Sequence, residues 1–148
     1  MKVAVGADEN TNLVQAIVRH LEEKGHEVRR FGAAADEQEP WAQTAVRVAE
    51  SVAEGKWDQG VVCCWTGTGV SIAANKVPGI RAALCGDAET ARGARKWNDA
   101  NVLALSLRAT SEQVAREILD AWFSEPYGKT EDSSLDLIRT RDATRPAK

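Results

Sequence analysis

Apolar positions along the chain alternate between two spacings. Short continuous runs, "KVAVGAD" (2–8), "QGVVCC" (59–64), "IRAALCG" (80–86) and "NVLALS" (101–106), read as strands, and "HEVRRFG" (26–32) as a weaker one. Between them lie longer amphipathic segments. In "TNLVQAIVRHLEEKG" (11–25), Leu13, Ile17 and Leu21 recur every fourth residue and Gly25 closes the helix. In "WAQTAVRVAESVAEG" (41–55), Ala42, Ala45, Val46, Ala49, Val52 and Ala53 form the expected apolar face. "GVSIAANK" (69–76) predicts a short helix. "DAETARGARKW" (87–97) opens on an Asp N-cap candidate, and "TSEQVAREILDAWF" (110–123) on a Thr110/Gln113 capping box. From Ser124 the chain turns polar, with one further helix expected near 131–141.

This order makes five βα units and an arm. It predicts a Rossmann-like α/β sandwich over 1–123, with a five-stranded parallel sheet covered on both faces, and a C-terminal helical arm over 124–148 expected to pack on a partner subunit. The unbroken apolar run at 59–64 fits a strand buried on both faces. In such sheets ligands sit outside the carboxyl ends of the strands. That draws attention to Asp8 and Glu9, to Cys64 through Ser71, to Gly86 and Asp87, and to the residues after the fifth strand.

Composition narrows the function classes. The 148 residues suit one domain, and the net charge of -3 gives no electrostatic reason to expect nucleic acid. No apolar run reaches the ~20 residues of a membrane span. The opening "MKVAVGAD" reads as a strand, not as a signal peptide. Three cysteines, 63, 64 and 85, make neither an even framework nor a CxxC, so reduced thiols and a cytoplasmic location are expected. No metal-ligand cluster is visible. His20 and His26 fall away from the strand carboxyl ends and read as structural.

The densest chemistry lies in "VVCCWTGTGVSIAANK" (61–76). Thr66-Gly67-Thr68-Gly69 opening a helix gathers backbone N–H groups at a positive dipole end, a cradle for an anion or oxyanion. The segment has neither the third glycine of the dinucleotide fingerprint nor the Gly-Lys-Ser/Thr of a P-loop. Cys64 precedes the cradle, where a thiol is readily ionised. Such a thiolate can take a proton next to a carbonyl while the cradle holds the enediolate. A buried core sulfur beside an ordinary strand-to-helix turn fits the same residues. Cys63 points to the opposite face and reads as core. Asp8 suits proton transfer, hydroxyl binding or helix capping.

"GAD" at the first strand, "CWTGTGVSIAANKVPGIRAALC" and "WNDANVLAL" together resemble the ribose-5-phosphate isomerase B and galactose-6-phosphate isomerase family, over about residues 1–123. The resemblance implies aldose–ketose isomerisation through a cis-enediol without metal or cofactor. It also implies a homodimer or tetramer with active sites shared between subunits. It makes Cys64 the base, Asp8 the carboxylate beside the substrate hydroxyls and Thr66 the ring-opening hydroxyl. The amides of Gly67, Gly69, Val70 and Ser71, with Thr68 in the same loop, hold the enediolate oxygen, and Asn98 binds substrate from the neighbouring subunit.

The departures from the family pattern share a direction. Glu9 stands where a phosphate-binding His is usual, and Glu131 and Leu135 stand where the arm usually brings two Arg. Lys129, Arg139 and Arg141 are out of register. Trp97 replaces the ring-opening His, Trp65 a Gly, and Trp41 a Tyr. Indole faces stack on sugar C–H faces. The expectation is therefore an isomerase of a non-phosphorylated sugar, with Glu9, Trp41, Trp65 and Trp97 in its pocket. An ordinary pentose or hexose phosphate isomerase, and a sugar-binding relative without catalysis, are the alternatives.

Overall fold

The computed structural model describes residues 1–144. Five strands, β1 (Lys2–Ala7), β2 (Glu27–Gly32), β3 (Gln59–Cys64), β4 (Ala82–Leu84) and β5 (Val102–Ser106), form one parallel sheet in the order β2-β1-β3-β5-β4. Helices α1 (Asn12–Glu23), α4 (Ala88–Asn98) and α5 (Glu112–Ser124) cover one face. Helices α2 (Trp41–Ala53) and α3 (Thr68–Ala74) cover the other. A 3-10 turn at Ala33–Ala35 was not legible in the sequence.

Because side chains alternate along a strand, the central β3 feeds both cores. Val61 and Cys63 pack under α1, α4 and α5, while Val62 and Cys64 pack under α2 and α3. The vicinal cysteines thus face opposite layers, as expected. On α1 the Leu13, Ile17 and Leu21 stripe is buried.

Three local expectations are corrected. On α2 the buried face is Thr44, Ala45, Val48, Ala49, Ser51 and Val52, so Val48 rather than Val46 meets the sheet, and Ala53 is exposed. The α5 N-cap is Ser111, whose Oγ accepts from the Val114 amide at 3.1 Å; Thr110 lies one residue outside and is buried. The fourth strand is only three residues long, because it is a half-exposed edge with a single neighbour.

The arm carries α6 (Asp132–Ala143) and is tied to its own chain. The Gly128 amide donates to Lys96 O at 2.8 Å, the Gly79 amide donates to Asp142 Oδ2 at 2.9 Å, and Leu135 is 2% exposed. Residues 145–148 of the expected arm lie outside the described residues.

Candidate active site

β1 and β3 are neighbours whose outgoing helices, α1 and α3, leave to opposite faces of the sheet. That topological switch opens a crevice above their carboxyl ends. The register sets its floor. Ala7 pairs with Cys63, and Cys64 pairs with Ser106, so continuing β1 by one residue brings Asp8 alongside Cys64. One row across three strands therefore reads Asp8, Cys64, Ser106.

Asp8 is half-buried, and its Oδ1 is shut from solvent without a hydrogen-bond partner among the described residues. Burial raises its pKa above the ordinary carboxylate value, and the charge of Glu9 adds to the rise. An orphaned acceptor of this kind is destabilising until a hydroxyl reaches it. Cys64 is 6% exposed, while Cys63 is sealed. Burial pushes the thiols of Cys63 and Cys85 up to about 12.

After Cys64 the chain turns sharply. The Trp65 carbonyl accepts from the Arg108 amide at 3.0 Å and from Ser106 Oγ at 2.9 Å, locking the end of β3 to the loop after β5. Trp65 itself is 60% exposed. Gly67 is the α3 N-cap, in the left-handed region at φ 76°. The first intrahelical bond runs from the Ser71 amide to Gly67 O. Ser71, expected among the cradle donors, therefore uses its amide inside the helix. The amides left without intrahelical acceptors are those of Thr68, Gly69 and Val70. Thr66 and Thr68 hold each other through their hydroxyls at 2.8 Å. The Trp41 ring lies against Gly69, near enough that a Cβ there would come within 3.0 Å of it.

The crevice is electrically lopsided. On the β1 side a depression is lined by Asp8, Glu9, Asn10, Glu37 and Glu39. Arg47 binds Glu37 at 2.6 Å and Glu39 at 2.8 Å, so the nearby cation is already paired. On the β5 side a depression of about 540 Å³ is lined by Thr66, Leu84, Gly86, Ser106, Arg108 and Thr110. Arg108 falls among the residues after the fifth strand that the sequence pointed to without naming, whereas Ser106, the last residue of that strand, escaped the sequence reading.

Trp97 and Asn98 are not brought to this crevice. They end α4, just before the start of β5, at the opposite edge of the sheet. Asn98 there shares a depression with Arg81, Ile138, Arg141 and Asp142. Trp97 is 50% exposed and packs over Gly93. Arg139 is held by Asp136 at 2.7 Å. Buried Leu135 points into its own chain. His20 is structural, with Nε2 hydrogen-bonded to Asp120 Oδ1 at 2.8 Å. Among the described residues no helix is long and apolar enough to cross a membrane.

The chain matches the family model described as Ribose/Galactose Isomerase over residues 3–138. It is 42% identical over 127 residues to ribose-5-phosphate isomerase B of Escherichia coli K12, covering 85% of each chain. It is 36% identical over 129 residues to D-erythrulose-4-phosphate isomerase of Pectobacterium atrosepticum, covering 86% of this chain and 85% of the other. The solved ribose-5-phosphate isomerase B of Clostridium thermocellum superposes with a TM-score of 0.93 at 38% identity, over 99% of this chain and 100% of that one. The chain belongs to the ribose/galactose isomerase family, a family of aldose–ketose isomerases.

Proposed function

We propose that this protein interconverts an aldose and its ketose by proton transfer at Cys64, in active sites completed by a second copy of the chain. The observation that carries the reading is the row Asp8, Cys64, Ser106 beside the free amides of Thr68, Gly69 and Val70. The Cys64 thiolate removes the proton from the carbon next to the carbonyl. The electron pair moves to the carbonyl oxygen, giving an enediolate that the amides stabilise. Asp8 accepts a hydrogen bond from the neighbouring hydroxyl and passes its proton between the two oxygens. Cys64 then returns its proton to the former carbonyl carbon, and no oxidant or reductant is needed.

The β1 side of the crevice supports a substrate end without phosphate. Glu9, Glu37 and Glu39 repel a dianion and accept hydrogen bonds from hydroxyls. Two features favour a second reading, an ordinary sugar phosphate isomerase: the uncommitted guanidinium of Arg108 and the phosphorylated substrates in the relatives' names. Trp97 and Asn98, at the far edge of their own sheet, would reach a crevice only from a partner. A binding-only relative is disfavoured, since binding gives no reason to keep a thiol in line with an orphaned carboxylate.

The test is deuterium wash-in from D2O at the carbon next to the carbonyl, followed by NMR. Ribose, allose and their terminal phosphates serve as paired probes. Exchange that is lost in Cys64→Ala supports the base assignment; full exchange in that variant sinks it. Turnover of only the phosphorylated members favours the second reading.

A further inference from the structure

At the strand-start edge of the sheet, three charged side chains are drawn in around one peptide. α4 ends at Asp99, whose backbone is left-handed at φ 45° and ψ 41°. That region is unfavourable for residues with a Cβ, although Asp tolerates it better than most. Arg81 holds it there: Nε donates to the Asp99 carbonyl at 2.7 Å and Nη2 to its Oδ2 at 3.2 Å. Arg95 lies 3.6 Å from the other carboxylate oxygen and donates to the Ala100 carbonyl. The side chains of Arg81, Arg95 and Asp99 are 18%, 12% and 28% exposed, so the cluster is largely withdrawn from water. Arg81 is itself fixed, since its amide donates to Asn101 Oδ1 at 2.8 Å and its Nη1 to Gly79 O at 3.3 Å. One residue before this clamp stands Asn98, exposed, with a side-chain amide that makes no hydrogen bond to any described residue. Its base is rigid and its head is free.

We propose that Arg81 is a positioning residue for the active site of the other subunit: through Asp99 it fixes the end of α4, so that Asn98 enters the partner's crevice already oriented. This rests on the shared-site reading and names what aims the donated residue. Helix capping alone does not call for such a cluster. A glycine at this position would take the left-handed conformation without strain. Withdrawing charged groups from water is costly, and it is offset only where the groups pair closely. Here the Asp99 carbonyl and both of its carboxylate oxygens face guanidinium groups, so the peptide after Asn98 is held against rotation and fraying. On the other side of Asn98, the Trp97 ring packs over Gly93. Asn98 is thus braced from both neighbours while its own amide stays available. Orientation of a binding group carries much of an enzyme's rate, and a displacement of about 1 Å can cost about 10²-fold.

The test puts Arg81→Gln into mixed dimers, because the proposal says which site must suffer. Differently tagged chains are paired so that one carries Cys64→Ala. A single live site then remains, made of the thiol of one chain and Asn98 of the Cys64→Ala chain. Arg81→Gln is added either to the Cys64→Ala chain or to the chain that keeps the thiol. The two dimers contain the same substitutions, so any general loss of stability is equal in both. Deuterium wash-in with ribose and ribose 5-phosphate should fall about tenfold or more in the first dimer and stay within about twofold of the Arg81 control in the second. Asp99→Gly, which keeps the left-handed turn and removes the carboxylate, should repeat the pattern. Arg81→Lys should recover part of the rate, since one ammonium replaces a fork that serves both the carbonyl and the carboxylate. Iodoacetamide labelling reads the same asymmetry without any substrate. In a dimer of one wild-type and one isotope-labelled Arg81→Gln chain, Cys64 of the wild-type chain should react faster than Cys64 of the variant chain. Equal loss of wash-in in the two arrangements, or equal labelling of the two thiols, would overturn the proposal. Failure of Cys64→Ala and Asn98→Ala chains to complement would sink the shared-site reading itself, whereas complementation without the Arg81 asymmetry would sink this proposal alone.

Discussion

Gly67 joins the thiol-bearing strand to the amide cradle, and Gly67→Ala tests whether that junction is as tight as the geometry says. At φ +76° an alanine would sit in the left-handed region, and its Cβ would lie 2.6 Å from Leu84 Cδ1 and 2.9 Å from the Leu105 carbonyl carbon. The leucine tip can turn away on an exposed edge. The β5 backbone, paired with β3 and β4, cannot. Left-handed alanine costs about 1 kcal/mol, and forcing a methyl against fixed backbone adds about 1–3 kcal/mol. A domain of this size loses about 2–4 °C in Tm for each kcal/mol, so the expected drop is about 5–15 °C. Gly25→Ala is the control. Its φ is +85°, yet nothing lies within 4 Å of its Cβ, so it carries strain without collision. It should lose about 1 kcal/mol and about 2–4 °C. Thermal unfolding at a fixed chain concentration, which holds any assembly term constant, compares the two. Equal losses would refute the collision at β5 and the tight packing inferred for the cradle.

Cys64→Ala should abolish deuterium wash-in, whereas Cys63→Ala should keep exchange; both thiols are buried, so each variant should lose about 1–2 kcal/mol of core packing, read by urea unfolding. Iodoacetamide at neutral pH should mark Cys64 and spare Cys63 and Cys85, whose thiols lie at about 12, as peptide mass spectrometry would register. Asp8→Asn should abolish turnover yet raise Tm at pH 7. The folded pKa of Asp8 is raised, so its ionised form is penalised above that pKa and the penalty vanishes below the unfolded value. The Tm gain of the variant should therefore shrink as pH falls through the carboxylate range, and a gain that grew with acid would contradict the burial argument. Mixed dimers of Cys64→Ala and Asn98→Ala chains should recover activity that neither variant shows alone, because one site in each dimer then carries both native residues.

Much of the fold was legible because the sheet is buried on both faces. Continuous apolar runs at 59–64 and 101–106 and glycine stops at Gly25 and Gly55 leave few alternatives to βα alternation. Edges were less readable. β4 has one neighbour, so its apolar run at 80–86 outlasts its three-residue ladder. The α2 face shifted because Thr44 and Ser51 are buried polar residues, with hydroxyls donating to Glu39 and to Val48 O, and composition counted them as surface. At the site, Asp8 and the 64–70 loop were legible from strand ends and glycines. Arg108 was legible only as one of the residues after the fifth strand, and Ser106 not at all, since what marks them is a register with β3 and two bonds to Trp65 O, which no local pattern encodes.

The sheet's polarity also bears on assembly. Every residue of the crevice lies at the carboxyl edge, while the exposed aromatic and aliphatic side chains of Trp97, Leu137 and Ile138 lie on α4 and the arm, which pack toward the strand-start edge. Within one chain the depression that holds Asn98, Ile138 and Arg141 shares no lining residue with the crevice. Asp142 and Leu135 hold the arm against its own chain, so α6 would have to unfasten to reach its own Cys64. In the proposed shared site, a second copy docked with its strand-start edge over this crevice would bring Asn98, Trp97 and Arg141 toward the thiol without unfastening anything. The same docking would bury the exposed indoles of Trp41 and Trp65 and exclude water from the enediolate, which strengthens the amide cradle when charge develops on the oxygen. The shared-site proposal makes assembly and chemistry one event, in which the face left apolar at one edge would roof the other.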